Sequence, residues 1–321
     1  MAHKVETMAY AGEVPWHGLG VKVSENLTPD EMLVKAGLNW SVDKTNLFYS
    51  HPPSLSRLVP GKKGLVRSSD GAYLDTVGED WNPLQNSEAF SFFNDFIKHG
   101  DMEMHTAGSL ENGRRVWALA KVKDAFELFK SDRVDQYLLF SNPHKYGLPI
   151  DIRMTPVRVV CNNTMSFALN TVSDVMVRVH HRTTFDPNIV MNTLGVAKTM
   201  LDKYKEAAEL LASRRFNKNN VVDFFSAVFP QTSINANKNK NKETKDDISR
   251  NATHALEVMN TQPGAEFGKG TWWQAFNTVT YMTDHILGRS QDTRLTSAWF
   301  GANRNRKAMA LKTAIDFAQA A

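Results

Sequence analysis

The stretch Arg114-Arg115-Val116-Trp117-Ala118-Leu119-Ala120-Lys121-Val122-Lys123 decides the fold. It alternates, with Arg115, Trp117, Leu119 and Lys121 on one side and Val116, Ala118, Ala120 and Val122 on the other, which is the period of a β-strand. The Asn112-Gly113 pair before it is a turn signal. Toward the C-terminus, residues 136–141, 157–161 and 175–181 read as further strands, and Asn163-Thr164 is placed to cap a short helix through Leu169. Three strands, a helix and a strand in that order leave no βαβ alternation. The expectation is an α+β fold: an antiparallel sheet core with a long helix packed on it and a C-terminal helical layer.

The long helix comes from the stripe Val196, Ala197, Met200, Leu201, Tyr204, Ala208 and Leu211, which predicts one element over about 187–215. A shorter helix is expected over 221–229, and others over 247–260, 272–287 and 304–320. Toward the N-terminus, Thr28-Pro29-Asp30-Glu31 is a helix start, stopped by Gly37. Residues 40–49 and 65–77 read as a small antiparallel sheet, turning at Ser69-Asp70-Gly71. Asn86-Ser87-Glu88 caps a helix whose Phe90, Phe93, Phe96 and Ile97 fall at helical spacing, the phenylalanines as core, and which ends at His99-Gly100. Residues 1–234 are expected to form an α+β core domain and 247–321 a helical region packing back on it. Between them, 235–246 is a polar, basic, low-complexity loop.

Composition excludes several classes. A hydrophobic fraction of 42% and a charged fraction of 22% are those of a globular chain. One cysteine, Cys161, rules out an internal disulfide and a Cys-based zinc site. No apolar run approaches the ~20 residues needed to cross a bilayer, and the first residues lack the apolar core of a leader. These features predict a cytoplasmic protein with no membrane partner. The net charge of +4 is small, but basic residues gather at 214–218, 238–245 and 304–312, the last with Arg304, Arg306 and Lys307 expected to face solvent.

Several segments together resemble a family carried by phages and plasmids and grouped as a domain of unknown function. They are Pro15-Trp16-His17-Gly18-Leu19-Gly20, the segment from Ala107-Gly108-Ser109-Leu110 to Ala120, the run Thr155 to Thr164, Gly270-Thr271-Trp272 with Asn277, Asp284-His285, and Trp299-Phe300-Gly301. The resemblance implies a role in DNA metabolism, recombination or the contest with host defences. At the level of topology the chain is also similar to single-strand annealing proteins of the RecT and Redβ kind.

The candidate site residues follow from charge and stacking chemistry. Arg114, Arg115, Trp117 and Lys121 on an accessible strand face would track phosphates while stacking a base; the other reading of that face is an ordinary core with snorkelling charges. Arg158 and Arg178 would be counter-charges to a phosphate held at a helix start near Asn163; otherwise they belong to a structural network. Cys161 beside His180 and His181 is a candidate nucleophile pair, against a buried structural thiol. His3, Glu6 and His17 match no metal spacing. No phosphate-loop, dinucleotide or nucleophile-elbow motif occurs, so ATP-driven chemistry is not expected, and neither is a cofactor or metal. The leading expectation is a non-enzymatic protein that binds or anneals single-stranded DNA in phage recombination or replication, with self-association possible. The alternatives are a factor that binds a host protein and counters a defence system, and an enzyme of unrecognised type.

Overall fold

The computed structural model describes residues 4–12, 19–98, 100–158, 163–164, 176–186, 188, 202–231, 248–288 and 290–320. The chain is α+β. It divides into two compact units, one made of 1–124, 136–154 and 173–197, the other of 125–135, 155–172 and 198–321.

In the first unit a mixed but mostly antiparallel sheet is laid down by β1 (Val5–Tyr10), β2 (Val21–Lys22), β6 (Met102–Leu110), β7 (Arg115–Leu128), β8 (Asp132–Pro143), β9 (Ile150–Arg158) and β11 (Met176–Val179); the ends of β7, β8 and β9 belong to the second unit. With β10 (Asn163–Thr164) the strand order is β10-β9-β8-β7-β6-β1-β2, and β11 pairs with β9. β1 joins β2 in parallel and β6 antiparallel. β6 tolerates that neighbour because Gly108 lies opposite Met8, where a Cβ would sit 2.4 Å from the Thr7 carbonyl oxygen. A second sheet, β3-β4-β5, is built from β3 (Val42–Ser50), β4 (Ser56–Arg67) and β5 (Tyr73–Gly78).

Helix α1 (Pro29–Lys35) begins as the sequence dictates: Thr28 and Glu31 form a reciprocal capping box, Pro29 opens the helix, and Gly37 at φ +68° follows its end. The helix expected after Asn86 is two short ones, α2 (Asn86–Ser91) and α3 (Asn94–Lys98), and Gln85 caps it, not Asn86. Asn86 is buried instead, its amide donating to the Leu38 and Trp40 carbonyls. Phe90, Phe93 and Phe96 are core as expected, joined by Phe92 and Phe140.

Asn86 also fixes a buried histidine. Its amide hydrogens are committed, so its Oδ1 must accept from His144 Nε2, 3.0 Å away. Burial, with His181 nearby, pushes His144 down to about 3. Burial likewise pushes His181 down to about 4, although its Nδ1 lies 3.1 Å from the Asn82 carbonyl; the ring stacks on Trp81 at 4.0 Å.

The second unit is helical. Residues 202–213 form α4, followed by α5 (Lys218–Val228), α6 (Arg250–Val258), α7 (Trp272–Tyr281), a π-helical turn at Met282–Ile286, α8 (Gln291–Phe300) and α9 (Ala302–Ala320). Tyr204, Leu211, Phe224, Phe225, Trp272, Trp273, Phe276 and Leu311 share one core with Phe126, Leu128 and Val134, and the Trp273 indole donates to Asp132 at 2.7 Å. The C-terminal basic cluster is not wholly solvent-facing. Lys307 is fully buried and pairs with Asp284 of the π-turn at 2.7 Å, because an apolar environment accepts an ammonium only beside its counter-charge.

Several expectations lie outside the described residues: His3, residues 13–18 with His17, His99, residues 159–162 with Cys161, 165–169, 189–201 of the long helix, and the loop 235–246.

Candidate nucleic-acid interface

β7 lies between β6 and β8 in the strand order, so it has neighbours on both edges, and both its faces are covered. Val116, Ala118 and Ala120 are buried on one face, and on the other Trp117 is 2% exposed and Leu119 8%. The accessible face with a stacking indole is therefore not what this strand presents. An alternating strand with small residues on one side and bulky ones on the other fits a position buried twice over, and the indole fills core.

The cations of β7 are tied to the protein. Arg115 is mostly buried and its Nη1 donates to Ser141 Oγ at 3.1 Å; burial draws its pKa below the usual arginine value, opposed by Glu111 and Asp151. Arg114 donates through Nε to the Leu74 carbonyl at 2.5 Å and stands 3.8 Å from Asp75. Lys121 faces Glu103 across the ladder and is half-buried.

Arg178 is exposed on β11, directly opposite Asp151, whose carboxylate also meets Arg153 at 3.2 Å. Asp151 also acts electrostatically on Arg115. Arg158 and Asn163 belong to the second unit, where they face each other as partners in the β9–β10 ladder; their side chains are outside the described residues. The expected helix cap at Asn163-Thr164 is a strand: its residues pair with Arg158 and Val157 of β9.

The surface that combines free cations with exposed rings is elsewhere, on β3-β4-β5. Gln85 anchors its root, accepting from the Val42 N–H at 2.9 Å and donating to the Val42 carbonyl at 3.1 Å. Arg67 pins the other side, holding Asp70 through two hydrogen bonds and Glu6 through Nη1 at 2.8 Å. Those Arg67 bonds, with the Ala72 N–H, lower Asp70 to about 2, and Gly71 supplies the positive φ that the turn needs.

Beyond the root, β5 pairs with β4 only from Val66 to Lys62. The tip, 47–59, is a two-stranded arm in which Phe48 faces Leu58 and Tyr49 faces Arg57. In such an arm neither face is covered, and Phe48 is 61% exposed, Tyr49 47% and Leu58 52%. On the outer face of the root, Gly64 leaves room for the Tyr73 ring to lie across the sheet, within 3.3 Å of where a Cβ would be, and Tyr73 is 54% exposed.

The acids of this sheet, Asp43 of β3 and Asp75 of β5, lie at its root, and the stretch between Lys44 and Ser69 is one-sided in charge. From Lys44 to Ser69 the sequence holds Lys44, Arg57, Lys62, Lys63 and Arg67 and no Asp or Glu. Arg67 is neutralised by Glu6 and Asp70. Lys44 donates to the Glu79 and Trp81 carbonyls and Lys63 to Asn46, so neither is paired with an acid among the described residues. Arg57 and Lys62 make no ion pair or hydrogen bond among the described residues. Exposed rings interleaved with uncompensated cations can hold a polyanion whose bases stack. The missing acids were the signal in the sequence that marks this site.

Residues 73–299 match a family described as a domain of unknown function, DUF932. No curated protein and no solved structure matches the chain. Among the described residues, no group of three or more His, Cys, Asp or Glu side chains is placed to hold a metal ion, and no helix is long and apolar enough to cross a membrane.

Proposed function

We propose, starting from a chain that belongs to the DUF932 family, that it binds single-stranded nucleic acid on the β3-β4-β5 sheet and its arm. The observation that carries this reading is the run of Lys44, Arg57, Lys62 and Lys63 without an acid, interleaved with exposed Phe48, Tyr49 and Tyr73. Cations supply the sequence-independent attraction to phosphates, and rings on a protruding arm can reach bases only where these are unpaired. The finer parts of the proposal come from the resemblance: service in the recombination or replication of a phage or other mobile element, in the host cytoplasm, with annealing of the RecT and Redβ kind as the model activity.

Fluorescence anisotropy with a labelled single-stranded oligonucleotide, and with the matching duplex, tests it. Binding to the single strand should weaken with salt, with a slope of log K on log salt of about −0.7 per engaged cation, so about −3 for four. Absence of binding to either strand form at low salt contradicts the proposal. Equal binding to both forms contradicts the role of stacking.

A further inference from the structure

In the second unit a cavity of about 390 Å³ opens beside Arg215, Phe216, Asn260, Lys269 and Gly270. That volume lies in the range of small-molecule sites. Its frame is held by buried Gln274. The Gln274 Oε1 accepts from the Gly270 N–H at 2.8 Å, while its Nε2 donates to the Met259 carbonyl at 3.0 Å and the Ala265 carbonyl at 3.2 Å. One amide thus ties residues 259, 265 and 270 together, so this side of the cavity is held by the protein itself.

Arg215 is fixed on the opposite side. A short antiparallel bridge joins 214–216 to 270–272, with the Phe216 N–H donating to the Gly270 carbonyl at 3.1 Å and the Trp272 N–H to the Arg214 carbonyl at 3.0 Å. The guanidinium lies over Gly270, where a Cβ would stand 2.8 Å from Nη2, and the glycine is at φ +81°. Glycine is needed there both for the backbone and for the cation above it. Neither Arg215 nor Lys269 makes an ion pair or hydrogen bond to an acid among the described residues. Phe216 adds an aromatic wall, itself braced edge-on by Trp272 at 5.8 Å.

An open cavity with two exposed cations at its edge, one a fork-shaped guanidinium, favours an anion that can accept several hydrogen bonds. The aromatic wall favours one carrying a planar group. We propose that this cavity binds the phosphoryl group of a nucleotide-class ligand, with Arg215 and Lys269 on the phosphate and Phe216 against the base. The phosphate belongs either to a free nucleotide or to a nucleic-acid backbone. The site shares no residue with the arm and stands or falls independently of it.

Calorimetric titration of the full chain with pyrophosphate, AMP and a dT oligonucleotide tests the assignment. The oligonucleotide is titrated into the Phe48→Ala, Arg57→Ala, Lys62→Ala variant, so that the arm does not contribute. Saturable binding of AMP, with weaker binding of pyrophosphate, is expected if the source is a free nucleotide, and binding of the oligonucleotide alone if it is a backbone. In either case adding Arg215→Gln with Lys269→Gln should weaken the affinity at least tenfold, with the melting temperature unchanged. Arm-variant protein that binds none of the three probes at millimolar concentration, or an added glutamine pair that leaves the affinity as it was, overturns the proposal.

Discussion

β7 and the β3–β4 arm are made of the same ingredients, cations alternating with aromatic side chains, and the fold uses them in opposite ways. In β7 the neighbours β6 and β8 bury Trp117, and Arg115 is drawn into a bond with Ser141. In the arm the third strand stops short, so Phe48, Tyr49 and Arg57 stay in solvent. Alternation says which residues share a face; it does not say which face has a cover. That is decided by strand order, which is a property of the whole chain.

The largest expected effect separates the two regions by stability. Trp117→Ala should cost about 3–5 kcal/mol, as for other buried aromatic truncations, and Phe48→Ala no more than about 0.5 kcal/mol, as for exposed sites. Urea denaturation of both variants measures this; similar midpoints would erase the distinction. The same contrast holds for charge. Lys307→Ala leaves Asp284 buried without its partner and should cost about 3–5 kcal/mol, while Lys62→Ala should be close to neutral. A Lys307 variant as stable as the Lys62 variant would place the Lys307–Asp284 pair outside the core.

A smaller effect concerns pH. His144 and His181 titrate in the folded chain at about 3 and about 4, against about 6.5 in an unfolded one. Between those values the unfolded state binds protons that the folded state refuses, so the stability from keeping both rings neutral is present above about 6.5 and is lost as the pH falls toward the folded values. His181→Phe should flatten that part of the stability–pH curve, measured by denaturation between pH 4 and 7. An unchanged slope would mean that the His181 ring takes up its proton as readily in the folded chain as in the unfolded one, so that burial does not lower its pKa.

Much of the architecture was legible in local chemistry. Thr28, Pro29, Glu31 and Gly37 mark α1 from both ends, and Gly71 marks the β4–β5 turn. The arm was not legible, because Pro60-Gly61 reads as a break within what is a 12-residue strand. The register shifts there: between Asn46 and Phe48 of β3 the single Leu47 stands against residues 59–62 of β4, and the three extra residues are absorbed as an irregularity with Gly61 at φ +68°. The Lys307–Asp284 pair joins residues 23 apart through a π-turn that no periodicity announces. At the candidate site, the basic residues do not cluster in sequence; what sets the stretch from Lys44 to Ser69 apart is that acids are missing from it.

The most direct measurement sets an arm variant against a β7 variant in one oligonucleotide titration at low salt. Tyr49→Ala with Arg57→Ala and Lys62→Ala removes the arm's chemistry and should lower single-strand affinity by about 1–3 kcal/mol for each base that loses its stacking partner, with the fold intact by circular dichroism. Arg114→Ala with Lys121→Ala changes one cation just before the covered strand and one within it and should leave the affinity close to that of the wild type. The reverse outcome, full affinity in the arm variant and loss in the β7 variant, would contradict the assignment of binding to the arm.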